Sequence, residues 1–215
     1  MRPLLALGLC LVFACKKDEP EATPDAGADP TELSFPDQGL ALTLLPTWIP
    51  GELPKSQSEV KVLLDARRAP VGRPYLVAPR LVMTVEPTGS DQPRRSAERA
   101  LDDLQELEHK KQLRLTRKVT GERRYGEELA VDLEVAYEVQ APGAPVFREI
   151  VQRSLFVFRR LPDGSRAIVT LTATFLAEDA ALLLPETEQT WSGLRLTDPG
   201  AADVDAGMAG KGPSP

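Results

Sequence analysis

Between Leu129 and Val139 the chain alternates without a break. Leu129, Val131, Leu133, Val135, Tyr137 and Val139 share one parity, and Ala130, Asp132, Glu134, Ala136 and Glu138 share the other. Successive side chains of a strand leave opposite faces, so this run buries one face and wets the other only as a strand; wound as a helix it would scatter its apolar groups. A half-wet strand belongs to an antiparallel sheet. The same period recurs in Leu40, Leu42 and Leu44, in Val60, Val62, Leu64 and Ala66, and in Leu81, Met83 and Val85. Ile150 to Arg160 and Ala167 to Leu176 are longer apolar strands, joined by Pro162-Asp163-Gly164-Ser165, where Asp-Gly signals a hairpin. Pro142-Gly143 turns the preceding pair, and Leu113 to Thr120 reads as a further strand with basic outer positions.

Two segments carry the helical period. From Pro93 to Lys111, the residues Ala97, Leu101, Leu104 and Leu107 fall on one face, with Arg94/Glu98, Arg99/Asp103 and Glu106/Lys110 as outer pairs. Thr88-Gly89-Ser90-Asp91 supplies capping oxygens ahead of it. From Ala177 to Ser192, with Leu194 just beyond, Ala180, Leu184, Trp191 and Leu194 form the inner face, and Pro185 is expected to break or kink the helix. Three strands, a helix, four strands and a helix define an α+β domain over residues 33–197. Its core is an antiparallel sheet of about six or seven strands with two helices packed on it.

Charge narrows the function. Residues 33–197 hold 22 basic and 23 acidic side chains, so the body is nearly neutral and offers no broad basic face to nucleic acid. The basic doublets Arg67-Arg68, Arg94-Arg95, Lys110-Lys111, Arg123-Arg124 and Arg159-Arg160 read as solvated helix ends and strand edges.

The first residues read as an address. Arg2 precedes an eleven-residue apolar run, Leu4 to Ala14, the length of a signal h-region and short of the ~20 residues a spanning helix needs. Val12-Phe13-Ala14-Cys15 resembles a bacterial lipobox, whereas Cys10 follows Leu9, too large for the peptidase's small-residue pocket. The resemblance implies a signal peptide over 1–14, cleavage between Ala14 and Cys15, and acyl chains on Cys15. Two or more such chains, at about 0.8 kcal/mol per buried methylene, anchor a protein lastingly. A simple secretory signal with a chance cysteine is the other reading, and both export the chain. Lys16, in place of Asp, directs an enterobacterial lipoprotein to the outer membrane. Residues 15–32 are expected to be the lipidated cysteine and a flexible acidic tether, and residues 198–215 a disordered tail.

The body also resembles a known group. An apolar strand closing in Leu45-Pro46-Thr47-Trp48, the helix opening Ala97-Glu98-Arg99-Ala100, and Thr190-Trp191-Ser192-Gly193-Leu194-Arg195-Leu196 at the end are similar to the PsbP-like superfamily of α/β/α sandwiches. That superfamily includes the Ran-binding Mog proteins and the DcrB-type and LpqN-type lipoproteins. The resemblance spans nearly all of residues 33–197 and implies a non-catalytic binding or assembly subunit. Pro50-Gly51-Glu52-Leu53-Pro54 departs from the group's usual polar link. Trp48 is expected to close one end of the core; its alternative role is a stacking platform for a ligand.

The body lacks the parts of familiar chemistry. Both cysteines lie in the first fifteen residues, so no thiolate serves as nucleophile or metal ligand. The single imidazole, His109, closes a helix, where a cation complements the dipole. No catalytic, phosphate-binding, dinucleotide or calcium motif occurs, and no cofactor or metal is expected. Asp132, Glu134 and Glu138, on one face of a strand, are the candidates for a carboxylate-dependent hydrolase. The expected function is therefore a non-enzymatic, lipid-anchored module of the cell envelope. Facing the periplasm, it would bind the membrane through Cys15 and another envelope protein through its body. A small-ligand carrier or sensor is the alternative, with an apolar ligand held between the sheet and a helix.

Overall fold

The computed structural model describes residues 29–53, 59–70, 75–89, 92–125, 128–140 and 146–197. Ala14, Cys15, Ser90-Asp91, Pro142-Gly143 and the tail from Asp198 onward lie outside the described residues. In chain order the elements are β1 (Thr31–Phe35), β2 (Leu40–Leu44), β3 (Trp48–Pro50), β4 (Lys61–Arg68), β5 (Arg80–Pro87), α1 (Pro93–His109), β6 (Arg114–Tyr125), β7 (Glu128–Gln140), β8 (Phe147–Arg160), β9 (Arg166–Leu176), α2 (Ala180–Ser192) and β10 (Leu194–Leu196).

These strands make two antiparallel sheets. The large one has seven strands in the order β3-β4-β5-β9-β8-β7-β6, and the small one runs β1-β2-β10. The α+β architecture is the one expected, but β2, read from sequence as part of the main sheet, belongs to the small one. Leu45-Pro46 makes the corner: the Trp48 amide donates to the Leu45 carbonyl at 3.0 Å, and the chain re-enters as β3 in the other sheet. Trp48 is buried in the core, which settles its role as packing and not as a platform.

Both faces of the large sheet are covered. α1 lies over β6, β7 and β8, where Ala97, Leu101 and Leu104 meet Val131, Leu133, Val135 and Tyr137. On the opposite face, α2 and the small sheet bring Leu42, Leu183 and Trp191 into one apolar cluster with Ala130, Ala136, Leu155 and Val169. The expectation that β7 keeps one face wet is therefore corrected. Its second parity is roofed, and the two alanines sit where the roof packs close.

Other local expectations shift for identifiable reasons. A bulge between Val62 and Leu64 breaks the alternation in β4, so that Leu63 and Leu64 are both buried. The helix α1 starts on Pro93 after Gln92, whose side chain makes no capping bond; proline at the first turn gives up no intrahelical hydrogen bond. His109 closes it, its Nδ1 lying 2.6 Å from the Gln105 carbonyl. Pro185 does not break α2, which runs on from Ala180 to Ser192 after a 3-10 turn at Ala177–Asp179. Pro185 is exposed, and so is Ala181, the residue whose carbonyl loses its amide partner, so water can satisfy that group. The buried residues of α2 are Leu183, Thr187, Thr190 and Trp191, with Ala180 and Leu184 only half-buried. The threonines are tolerated inside because their hydroxyls donate back to Leu183 at 2.7 Å and Glu186 at 2.9 Å. The β8–β9 hairpin forms as read, with Gly164 at φ 82 and Asp163 accepting from the Ser165 amide and hydroxyl.

Candidate functional site

The carboxylates singled out on β7 all meet arginines. Asp132 accepts from Arg123 at 2.8 Å and from Arg153 at 2.6 Å. Both arginines also reach Glu188 on α2, at 2.7 and 2.8 Å. Beneath them lies Trp191, with Arg153 stacked 4.4 Å and Arg123 5.8 Å from the ring centre. Tyr125 donates to the Trp191 carbonyl at 2.9 Å. Glu134 pairs with Arg117, and Glu138 with Arg114 at 3.5 Å. The hydrogen bond from Arg123 holds the Glu188 carboxyl below its ordinary range, against the opposing pull of burial, and the bond to Glu188 raises Arg123 in turn. Two cations and two anions thus close on one another across the sheet–helix interface.

A second clamp grips α2 near its kink-prone proline. Arg68, its side chain only 2% exposed, forks onto Glu186 with Nε to Oε2 at 2.8 Å and Nη2 to Oε1 at 2.7 Å. Its Nη1 donates to the Tyr75 hydroxyl, and Thr47 adds a bond to Glu186 at 3.4 Å. The Glu186 bond raises Arg68, outweighing burial, while burial raises Tyr75 against the pull of Arg68.

These clamps correct the reading of the basic doublets as surface charge. Arg94-Arg95 and Lys110-Lys111 are exposed as expected. In the strand doublets, however, Arg68 and Arg159 are buried and Arg123 is half-buried, while Arg67, Arg160 and Arg124 face out. Neighbours on a strand point to opposite faces, so a doublet within a two-sided sheet must send one member inward. That parity was the available signal.

A cleft of about 340 Å³ opens between α1 and the outer strands. Ala97 and Leu101 of α1 and Val131 and Leu133 of β7 make its apolar floor, and Lys118 and Glu122 of β6 stand at its rim. Arg94 bridges the helix side, 3.4 Å from Glu98 and 3.8 Å from Glu122. The cleft was not legible beforehand, because β6 runs five residues past its expected end at Thr120 and supplies Glu122 from that extension. Among the described residues no group of His, Cys, Asp and Glu could hold a metal ion, and no helix is long and apolar enough to cross a membrane.

A seven-stranded antiparallel sheet with one helix on one face, and a helix and short sheet on the other, is a PsbP-like α+β fold. The solution structure of cyanobacterial PsbP (CyanoP) from Synechocystis sp. PCC 6803 matches with a TM-score of 0.53 and 11% identity, over 85% of this chain and 98% of that one. LpqN, involved in cell envelope biogenesis of Mycobacterium tuberculosis, matches with a TM-score of 0.50 and 16% identity, over 80% of this chain and 88% of that one. At such identities the likeness establishes the fold. No protein-family model matches the chain, and no curated protein matches it in sequence.

Proposed function

We propose that the chain is an exported lipoprotein, cleaved after Ala14 and acylated on Cys15, whose PsbP-like body is a non-catalytic binding or assembly module of the bacterial cell envelope. It faces the periplasm from the outer membrane and engages another envelope protein or a peptide. The observation that carries this reading is the use of charge in the body. Asp132, Glu134, Glu138, Glu186 and Glu188 each face an arginine partner, so these carboxylates fasten a helix and a sheet edge. The envelope role of LpqN, a protein of like fold, agrees with it.

The test has two arms. Cys15→Ser is expected to lose an incorporated acyl label and to leave the membrane fraction; a variant that still sediments with membranes would falsify the anchor. Crosslinking the acylated protein in intact cells is expected to capture one reproducible envelope protein, and capture of none counts against the binding role.

A small-ligand carrier is the second reading, favoured by the apolar floor of the cleft between sheet and helix. Its volume of about 340 Å³ lies at the small end of the roughly 300–1,000 Å³ that ligand sites occupy. Native mass spectrometry distinguishes it: a carrier brings a co-purifying mass, and a protein-binding module does not.

A further inference from the structure

β6 is the outer strand of the large sheet, and among the described residues no strand pairs with the far edge of its twelve residues. Two copies meeting at this edge about a two-fold axis normal to the sheet pair antiparallel. Opposed side chains must then leave the same face, so the numbers of opposed residues sum to an even value. In the register centred on Thr120, Lys118 of each copy faces Glu122 of the other. Centred on Val119, Lys118 faces Thr120; centred on Gly121, Lys118 faces Arg124 and Glu122 faces Thr120, so in neither do opposite charges meet. One register of the three matches charge.

The same register accounts for a glycine. Gly121 sits inside the strand without a positive φ, and a Cβ built on it would touch only the Asp132 Cβ at 3.9 Å, an ordinary contact. The chain's own packing therefore does not call for glycine there, while glycine inside a strand often marks close approach by another backbone. Val119, 52% exposed on the same face, would stand opposite Gly121 of the second copy, its methyls over bare backbone. Thr120 meets itself on the axis, a favourable cross-strand pair. Lys118 makes no ion pair among the described residues, and Glu122 has only Arg94 at 3.8 Å. Arg117 and Arg123 come opposite one another, but each is already neutralised, by Glu134 and by Asp132.

We propose that the chain self-associates through β6, edge to edge and antiparallel about Thr120, joining two large sheets into one. The second copy adds along Lys118, Thr120, Gly121 and Glu122, which also line the cleft, so the pairing borders that cleft and goes beyond the binding role above.

The experiment is sedimentation equilibrium of the full chain in detergent, reading the mass of the protein component. Wild type is expected at twice the chain mass. Lys118→Glu and Glu122→Lys each set like charges opposite twice and should weaken association by about tenfold or more. The double variant K118E/E122K should restore it. The two residues are about 13 Å apart along one strand, too far to pair within a copy, so restoration reports contact between copies. Gly121→Ile should also dissociate the dimer with an unchanged circular dichroism spectrum. A wild type of single mass, single variants that remain dimeric, or a double variant that stays monomeric overturns the proposal.

Discussion

The Arg153 guanidinium lies 4.4 Å from the centre of the Trp191 ring, while its Nη2 donates to both Asp132 and Glu188. One side chain from the middle of the sheet thus joins the helix by stacking and by charge. Its removal leaves a half-buried carboxylate short of a partner and an indole face without its cation. Arg153→Ala is expected to cost about 3 kcal/mol or more in urea unfolding. Arg153→Lys should recover little of it, because an ammonium reproduces neither the fork nor the planar stack. A loss below about 0.5 kcal/mol for Arg153→Ala would mean the cluster is solvated in practice.

Acid should loosen this attachment. The Glu188 carboxyl is held below its ordinary value of 4.5, chiefly by the bond from Arg123. A carboxyl depressed in the folded state contributes stability in full above its unfolded pKa, and that contribution disappears as the pH falls through the lower, folded value. Urea midpoints of wild type and Glu188→Gln should therefore converge as the pH drops below about 4.5. A gap between them that stays constant to low pH would assign the stabilisation to packing.

Gly39 is required where it stands. Its φ is 58, and a Cβ there would lie 2.7 Å from Arg159 Nη2 and 3.0 Å from the Thr197 carbonyl oxygen. The buried Arg159 donates to the Thr197 carbonyl, and the Thr197 amide donates to the Gly39 carbonyl at 3.0 Å, so both neighbours are held in place. Gly39→Ala is expected to destabilise by about 1–3 kcal/mol, read as a lowered Tm, with the loss concentrated at the small sheet.

The hydrolase reading is open to a direct test. Asp132→Ala and Glu134→Ala should leave glycan turnover at the background of the wild-type preparation, since each carboxylate already neutralises an arginine. Turnover above background that either change abolishes, in a variant with native circular dichroism, would make the protein an enzyme.

Much of this fold was legible because its signals are local. The alternation through β7, the Asp-Gly turn at Gly164 and the three- and four-residue spacing of Ala97, Leu101 and Leu104 each state their own geometry. What was missed depends on partners distant in sequence. Leu40, Leu42 and Leu44 declare a strand but not which sheet receives it, and the choice falls to the corner at Pro46. Ala130 and Ala136 on the supposedly wet face of β7 were a quiet sign of a roof, small where α2 and the short sheet press close. The clamps were half legible. Strand parity sends one arginine of Arg67-Arg68 inward, but that it meets Glu186, 118 positions away, follows only from the folded topology. The cleft was the least legible, since its opening depends on how α1 settles over β6.

The first and last described strands flank β2, so the polypeptide enters and leaves through the same small sheet. Tension on the residues ahead of Thr31, directed away from the body, falls first on the rung between Thr31 and Leu44. From there β1 peels one rung at a time, the weakest way to load paired strands, since each bond gives way alone. The large sheet shares no rung with β1 and is coupled to it through the packing of Leu33 and Phe35 on the common core. A tug at the amino end is therefore expected to fray this five-residue strip, a mechanical fuse, before the long ladders of the large sheet.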